Sequence, residues 1–325
     1  MNVDPSQPPV VLPVTVSNRP RWSVMIPVYN CATYLPRTLQ SVLQQDLGEA
    51  QMQIEVVDDA STDADVKAMV EEIGKGRVRY FRQAQNVGSL KNFETCLNRA
   101  EGELIHLLHG DDKVRNGYYQ KMEALFQQCP EIGAAFCRYT YINEADDELE
   151  QPPIEAPEDG VLKAWLLRIA QHQRLQYCVM TVKREVYEKL GGFYGVRYGE
   201  DWEMWVRIAA HYPVAYTPEI LAEYRRHENS ITGQAFLNGQ NLRDVQWVIN
   251  TIQNYLPADQ RKKAKQEALK YYAHYAASTA NTLWQTTRNK QGALAQMQEA
   301  LHMHGDLKLF WRLAKLRTRM LLKIR

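Results

Sequence analysis

Three observations predict an α/β architecture for this chain: a mostly parallel sheet flanked by helices, with an appended helical region. Between Trp22 and Leu107, short apolar runs of strand length alternate with helix-periodic segments, the mark of βαβ units. Three of those runs end in polar clusters, Tyr29-Asn30, Asp58-Asp59 and Asp111-Asp112. Right-handed crossovers bring successive strand ends to one edge of a parallel sheet, so these clusters are expected to meet. From Asn241 onward the β signal fades, Pro and Gly become scarce, and the periodicity is helical.

The elements follow in order. Trp-Ser-Val-Met-Ile-Pro-Val at 22–28 is a buried-strand run, and Leu35, Leu39, Val42 and Leu43 keep a helical period over 34–45. A second strand at 54–57 ends in Asp58-Asp59, and Ser61, Thr62 or Asp63 is placed to cap the helix that follows. A third strand covers 78–81, and Asn86-Val87-Gly88-Ser89 turns into a helix over 90–100. The next strand, beginning at Leu104, runs through His109-Gly110 into Asp111-Asp112, and ligands of open α/β sheets collect at such strand ends.

Two adjacent carboxylates there repel each other and lose solvent, which calls for a cation or hydrogen-bond donors in compensation. A divalent metal is the simplest. Gly-Asp-Asp is also ordinary turn chemistry, able to cap a helix starting near Asn116.

Beyond it, a helix is expected over 117–129 and a strand over 132–141. The acidic stretch 144–160, with Pro152, Pro153 and Pro157, is expected as an exposed loop. The pattern then predicts a helix over 161–170, a strand over 177–182, and a short helix over 184–190 closed by Gly191-Gly192. In the helix opening at Glu200-Asp201, Trp202, Trp205 and Ile208 or Ala209 share one face. An acid at that position is also what a helix dipole favours on structural grounds alone. Residues 213–224 lead into the cation-rich Arg225-Arg226-His227, which as a bare pattern is a solvated basic loop.

The domain boundaries read from this pattern are a flexible, proline-rich tail over 1–20, an α/β domain over 21–232, and a helical region over 233–325. The last segment, 308–325, has seven basic residues and no acids. Lys308, Arg312, Lys315, Arg319 and Lys323 form a stripe beside Leu309, Leu313, Leu316, Met320 and Ile324. With Phe310 and Trp311, that pattern suits either a helix lying on an anionic membrane surface or one packed on the domain with its charges in water.

Composition narrows the field. A chain of 325 residues, 45% hydrophobic and 24% charged, can bury a large core. With 39 basic and 38 acidic residues its net charge is +1, so no global field points to nucleic acid. The five cysteines are scattered without CxxC spacing, which disfavours a disulfide framework and a zinc site and fits a reducing cytoplasm. The N-terminus lacks a basic region ahead of an apolar one, and no run approaches the roughly 18 apolar residues of a membrane span. A cytoplasmic protein, soluble or peripheral to the inner face of the membrane, is expected. No G-x-G-x-x-G follows the first strand and no Gly-rich loop carries Lys-Ser/Thr, so dinucleotide and P-loop readings lose their support.

Taken together, these motifs resemble the family 2 glycosyltransferases of the Rossmann-like GT-A fold, over about residues 21–232. The run ending in Pro27, Tyr29 and Asn30 is similar to the opening strand that helps hold the nucleotide base. Val56-Val57-Asp58-Asp59-Ala60-Ser61-Thr62-Asp63 resembles "VDDxSxD", which implies base and ribose contacts from Asp58 and Asp59. Asn86, Gly88, Lys91 and Asn92 look like the "NxGxxxxRN" stretch near donor sugar and phosphates, with Lys91 where Arg is frequent. Leu108 to Asp112 resembles the metal-binding strand end, except that His109 stands where many members have Asp. Metal ligation by Mg²⁺ or Mn²⁺ is therefore expected from Asp111 and Asp112, with His227 as a further ligand.

Glu200-Asp201-Trp202 resembles the "ED" motif, which makes Asp201 the general base, and Tyr224 to Ser230 resembles "YRxHxxS", which places Arg225 and Arg226 near the diphosphate. The resemblance implies inverting, metal-dependent transfer of a sugar from a nucleotide diphosphate, UDP foremost. The acceptor would be a saccharide or lipid-linked saccharide, in surface polysaccharide or glycolipid synthesis. A catalytically inactive nucleotide-sugar-binding scaffold is the alternative that His109 raises. A nucleotidyltransferase is another, although it would want a Gly-rich basic loop after the first strand.

Overall fold

The computed structural model describes residues 7–15, 18–227 and 236–324. They form two compact units: Met1–Lys163, Arg174–Gly195 and His211–Arg226 make the first, and Ala164–Gln173, Val196–Ala210 and His227–Arg325 the second.

The first unit is built on one sheet. Strand β1 (Trp22–Val28) is buried along its whole length, as its apolar run requires, and lies parallel to β2 (Met52–Asp58) on one side and β4 (Leu104–Leu107) on the other. Edge strand β3 (Arg79–Arg82) pairs in parallel with β2. Beyond β4 the sheet becomes mixed. Strand β8 (Met180–Lys183) runs antiparallel to both β4 and β6 (Ala134–Ile142), while β6 pairs in parallel with β9 (Val214–Arg225). Short strands β5 (Lys113–Val114) and β7 (Gly160–Val161) add to β9 in antiparallel sense. The long pairings are thus parallel and the antiparallel ones short, in the order β3-β2-β1-β4-β8-β6-β9-β5.

Helices α1 (Leu35–Leu43), α2 (Val66–Gly74), α3 (Ser89–Arg99), α4 (Tyr118–Gln128) and α6 (Arg184–Leu190) flank the sheet close to their expected places. Three local expectations are corrected. Helix α2 is capped by Asp65, whose Oδ1 accepts from Ala68 N at 3.0 Å, so Ser61, Thr62 and Asp63 are free for the loop after β1. The helix over 161–170 shrinks to α5 (Trp165–Ile169), because Gly160–Val161 joins the sheet and Ala164 takes a left-handed φ of 52°. The strand over 177–182 begins as a 3-10 turn at Tyr177–Val179. Residues 8–12, read as part of a flexible tail, are tied down: Val11 is buried, Pro9 O accepts from Gly192 N, and Leu12 O accepts from Arg184 Nη2.

The second unit holds α5, α7 (Glu200–His211), α8 (Gln240–Ile252), the long α9 (Arg261–Thr287), α10 (Lys290–Met303) and α11 (Leu307–Leu321). Buried alanines on α9, among them Ala268, Ala273, Ala276 and Ala280, give it a smooth face on which α10 and α11 pack. Helix α11 buries Leu309, Leu313, Leu316 and Met320, the stripe its sequence marks out, but Ile324 lies outside. No helix among the described residues is long and apolar enough to cross a membrane.

Candidate active site

The ends of β1 and β2 are locked together before any ligand is considered. Val28 O accepts from Asp59 N at 2.8 Å, and Asn30 turns the chain with a φ of 49°. Asn30 N donates to Ser61 Oγ, and Asn30 Oδ1 accepts from Thr62 N. Asp63 Oδ2 accepts from Ala32 N at 2.9 Å. The Ser-Thr-Asp run thus serves the strand-end loop, and Tyr29 remains half exposed above it.

Asp58 and Asp59 have different surroundings. Asp58 is wholly buried; its Oδ1 accepts from Ser61 N, and its Oδ2 from Tyr80 OH and the Arg82 guanidinium. Asp59 faces the Asn86-Val87-Gly88 turn and accepts from Val87 N (2.7 Å), Gly88 N (2.9 Å) and Asn86 Nδ2 (3.1 Å). Burial raises its pKa, and the two backbone donors oppose that shift. Gly88 takes a φ of 84°, a left-handed conformation suited to Gly at the start of α3. Asn92, expected near the donor, is buried and bridges to Val57 O at 2.9 Å, while Lys91 stays exposed beside Glu94.

At the end of β4, His109, Asp111 and Asp112 bring one ligand atom each within 4.8 Å of one another. Gly110 is required here, since a Cβ would meet Cys31 Sγ and Val28 Cγ2 at 2.9 Å. Thr38 of α1 clamps the turn, its hydroxyl donating to Gly110 O and Asp112 O. His109 lies between Phe93 and Tyr177, with ring centroids at 5.1 and 4.4 Å. Burial lowers its pKa, which keeps the imidazole neutral and able to ligate.

Burial, then the neighbouring Asp111, pushes the Asp112 carboxyl well up. The buried His109 Nε2 has no hydrogen-bond partner, and Asp112 Oδ2 has nothing firmer than the weak Cys178 thiol. Two carboxylates at close quarters with an unpartnered imidazole nitrogen fit a divalent cation, with the imidazole suiting Mn²⁺ better than Mg²⁺. His109 therefore joins the cluster, where the sequence suggested only the loss of an acid.

Arg225 holds this turn from beneath. Its N–H donates to Asp112 Oδ1 at 2.9 Å, its Nε to Asp111 O at 2.8 Å, and its Nη1 to Asn143 O at 2.7 Å. An ion pair with Asp146 at 2.5 Å and the Tyr34 ring complete its surroundings. Arg226 lies over the Tyr141 ring, 3.5 Å from its centroid, and pairs with Glu150. Pro27 sits within β1, with its carbonyl accepting from Gly110 N. His227 belongs to the second unit, and Glu228, Asn229 and Ser230 of the expected closing motif lie outside the described residues.

Asp201 lies in the first turn of α7, in the second unit. Its carboxylate accepts from Trp202 N at 2.8 Å and from Gln173 Nε2 at 2.5 Å. Burial raises its pKa to about 7, against the backbone hydrogen bonds that favour the ion. Trp202 is anchored through Nε1 to Ile169 O at 2.7 Å, and Glu200 beside it is buried. Gln173 is itself placed by Tyr272 of α9, whose OH accepts its N–H at 3.2 Å.

Gln173, Tyr80, Arg82 and Thr38 were not anticipated from the sequence. The alternation in Arg79-Tyr80-Phe81-Arg82 carried a usable signal for two of them. Gln173 stands in a segment without regular structure and carried none.

The family model described as glycosyl transferase family 2 matches residues 23–191. An uncharacterised protein of Mycobacterium tuberculosis is 26% identical over 248 residues, covering 72% of this chain and 76% of that protein. An uncharacterised glycosyltransferase of Mycoplasma pneumoniae is 32% identical over 119 residues, covering 36% of this chain and only 40% of its own length. Among solved structures, S. aureus TarS 1–349 in complex with UDP-GlcNAc gives a TM-score of 0.68 at 16% identity, covering 92% of this chain and 88% of that one. A mannosyltransferase from Pyrobaculum calidifontis in complex with GDP-Man and Mn²⁺ gives 0.54 at 19% identity, covering 98% and 87%. The likeness to both is one of fold, the GT-A arrangement of sheet and helices.

Proposed function

This chain belongs to glycosyl transferase family 2, and from that premise we propose that it transfers a sugar, with inversion at the anomeric carbon, from a nucleotide diphosphate to an acceptor hydroxyl. The observation that carries this reading is the cluster of His109, Asp111 and Asp112 at a strand end, with its unsatisfied buried donor atoms. In the reaction, the acceptor oxygen forms a bond to the anomeric carbon as the bond to the β-phosphate oxygen breaks. The nucleoside diphosphate leaves with the electron pair, and Asp201 takes the hydroxyl proton.

A carboxylate with a pKa near 7 is well matched to that proton at neutral pH. Gln173 and the Trp202 N–H fix its lone pairs and hold its reactive oxygen in one place. His109, Asp111 and Asp112 would hold Mn²⁺ or Mg²⁺, with His227 as a further candidate ligand; the cation supplies charge neutralisation for the departing diphosphate. Arg225 keeps the Asp111-Asp112 turn in place, and Arg226 remains a candidate for the diphosphate. Tyr29, Asn30 and Arg82 are assigned to the base pocket, with Asp58 and Asp59 ordering its walls.

UDP is the favoured donor carrier, supported by the UDP-GlcNAc bound to TarS, while the GDP-Man of the Pyrobaculum enzyme names the competing base. The acceptor assigned is a saccharide or lipid-linked saccharide at the cytoplasmic face of the membrane, the product entering surface polysaccharide or glycolipid. The test is nucleoside diphosphate release from a panel of UDP-, GDP- and dTDP-sugars, with Mn²⁺ or chelator and with or without lipid extract. Release from one donor, abolished by chelation and in Asp111→Ala, and reduced on the order of 10²- to 10⁴-fold in Asp201→Asn, is expected. Unchanged release in Asp201→Asn would remove the base from the account.

A further inference from the structure

Helix α11 carries two apolar faces where its sequence suggested one. Leu309, Leu313, Leu316 and Met320, spaced four, three and four apart, are buried within the second unit. A second series, Leu307, Trp311, Ala314 and Leu321, keeps the same period on the opposite side, interrupted only by Thr318, with Phe310 on its border. Leu307 is 80% exposed, Trp311 75% and Leu321 72%. An exposed apolar face running the length of a helix of 15 residues, broken only at Thr318, is unusual on a soluble surface and marks an interaction site.

The cations divide in the same way. Arg312 and Arg319 are engaged on α9, Arg312 with Ser278 Oγ and the His274 carbonyl, Arg319 with Asn281 Oδ1. Lys308, Lys315, Arg317 and Lys323 are exposed and, among the described residues, have no side-chain partner. Lys308 and Lys315 border the exposed apolar face on one side and Arg317 on the other. There is no acid from Leu307 to Ile324. Asp306, just before the helix, is taken up capping it and receiving His274 and His304.

We infer that this outward face of α11, Leu307, Phe310, Trp311 and Leu321 flanked by Lys308, Lys315 and Arg317, lies on a bilayer containing anionic phospholipid. Aromatic and leucine side chains enter the headgroup boundary while the bordering cations extend to the phosphates. A second copy of the chain fits the face poorly, because any self-complementary contact would bring unpaired cations against each other. The inference deepens the membrane part of the proposed function and stands apart from its chemistry, so either can fail alone.

The test is co-sedimentation of the full chain with phosphatidylcholine vesicles, with and without phosphatidylglycerol. The wild type is expected to pellet only with the anionic vesicles and to be released by salt. Lys308→Gln with Lys315→Gln weakens partitioning roughly 30-fold, at about a kilocalorie per mole for each cation. Phe310→Ser with Trp311→Ser weakens it roughly 100-fold while leaving the melting temperature unchanged, since both side chains are exposed. No binding of the wild type to anionic vesicles would overturn the inference, as would full binding by the Phe310→Ser, Trp311→Ser variant. So would a concentration-dependent dimer, abolished by those changes, in a protein that ignores vesicles.

Discussion

Removing the amide that holds Asp201 should move the pH dependence of turnover in a direction fixed by the hydrogen bond. Gln173 Nε2 donates to Asp201 Oδ2 at 2.5 Å, and the buried carboxyl already has its pKa raised to about 7. A donor to a carboxylate favours the charged form, so Gln173→Leu raises the pKa further. Hydrogen bonds to charged groups contribute about 1.5–3 kcal/mol, equivalent to roughly one to two pKa units. The acid limb of kcat is then expected to move from about 7 to about 8–9. At pH 7 the variant would turn over about 5- to 50-fold more slowly and recover as the pH rises past 9. Initial rates of nucleoside diphosphate release at saturating donor and acceptor, measured across pH, give the limb directly. A loss of rate equal at every pH, or a limb that stays in place, would refute the assignment of Gln173 as the group that positions the base.

Three further outcomes follow from the same geometry. Because the native Asp201 carboxyl binds its proton more tightly than an unfolded one, its ionisation lowers native stability as pH rises from about 4 through 7. Asp201→Asn, slowed in turnover, should therefore be more stable at pH 8 by about 1–3 kcal/mol, an advantage that vanishes near pH 4 in denaturant titrations. Asp59→Ala leaves the part-buried Val87 and Gly88 amides without their carboxylate acceptor, at a cost of about 0.5–1.5 kcal/mol for each hydrogen bond lost; calorimetry should find both a lower melting temperature and weakened nucleotide binding. Gly110→Ala forces a Cβ against Cys31 and Val28, so it should lose about 1–3 kcal/mol of stability and metal-dependent binding together, whereas a variant keeping both would contradict the tight turn.

The parallel half of the fold was legible because its strands are buried on both faces and stand out as apolar runs, as in β1 and β4. The antiparallel entry of β8 was not, since Met180–Lys183 carries no mark of strand direction. At the site, the positions of Asp58, Asp59, Asp111 and Asp112 at strand ends followed from period and topology. Their loads did not: which carboxylate meets Ser61 and Tyr80, and which meets the Gly88 turn, depends on loop geometry that no local pattern encodes.

The surroundings of His109 were not legible for a related reason. Residue type alone made it a missing acid, while packing between Phe93 and Tyr177 makes it a neutral imidazole aimed at two carboxylates. Arg225, expected at the diphosphate, is held by Asp111, Asn143 and Asp146, because a fully buried guanidinium must find partners. On α11 the periodicity found the packed stripe, and only the exposure of Trp311 and Leu307 revealed the other.

The measurement that bears most directly on the account is calorimetric titration of UDP-GlcNAc, GDP-Man and a dTDP-sugar into the protein with Mn²⁺ or chelator, for wild type, His109→Ala and Asp111→Ala. Binding of one donor that requires Mn²⁺, weakened about 10- to 100-fold in His109→Ala and lost in Asp111→Ala, is what the strand-end cluster predicts. Donor binding indifferent to Mn²⁺ and to both substitutions would contradict it.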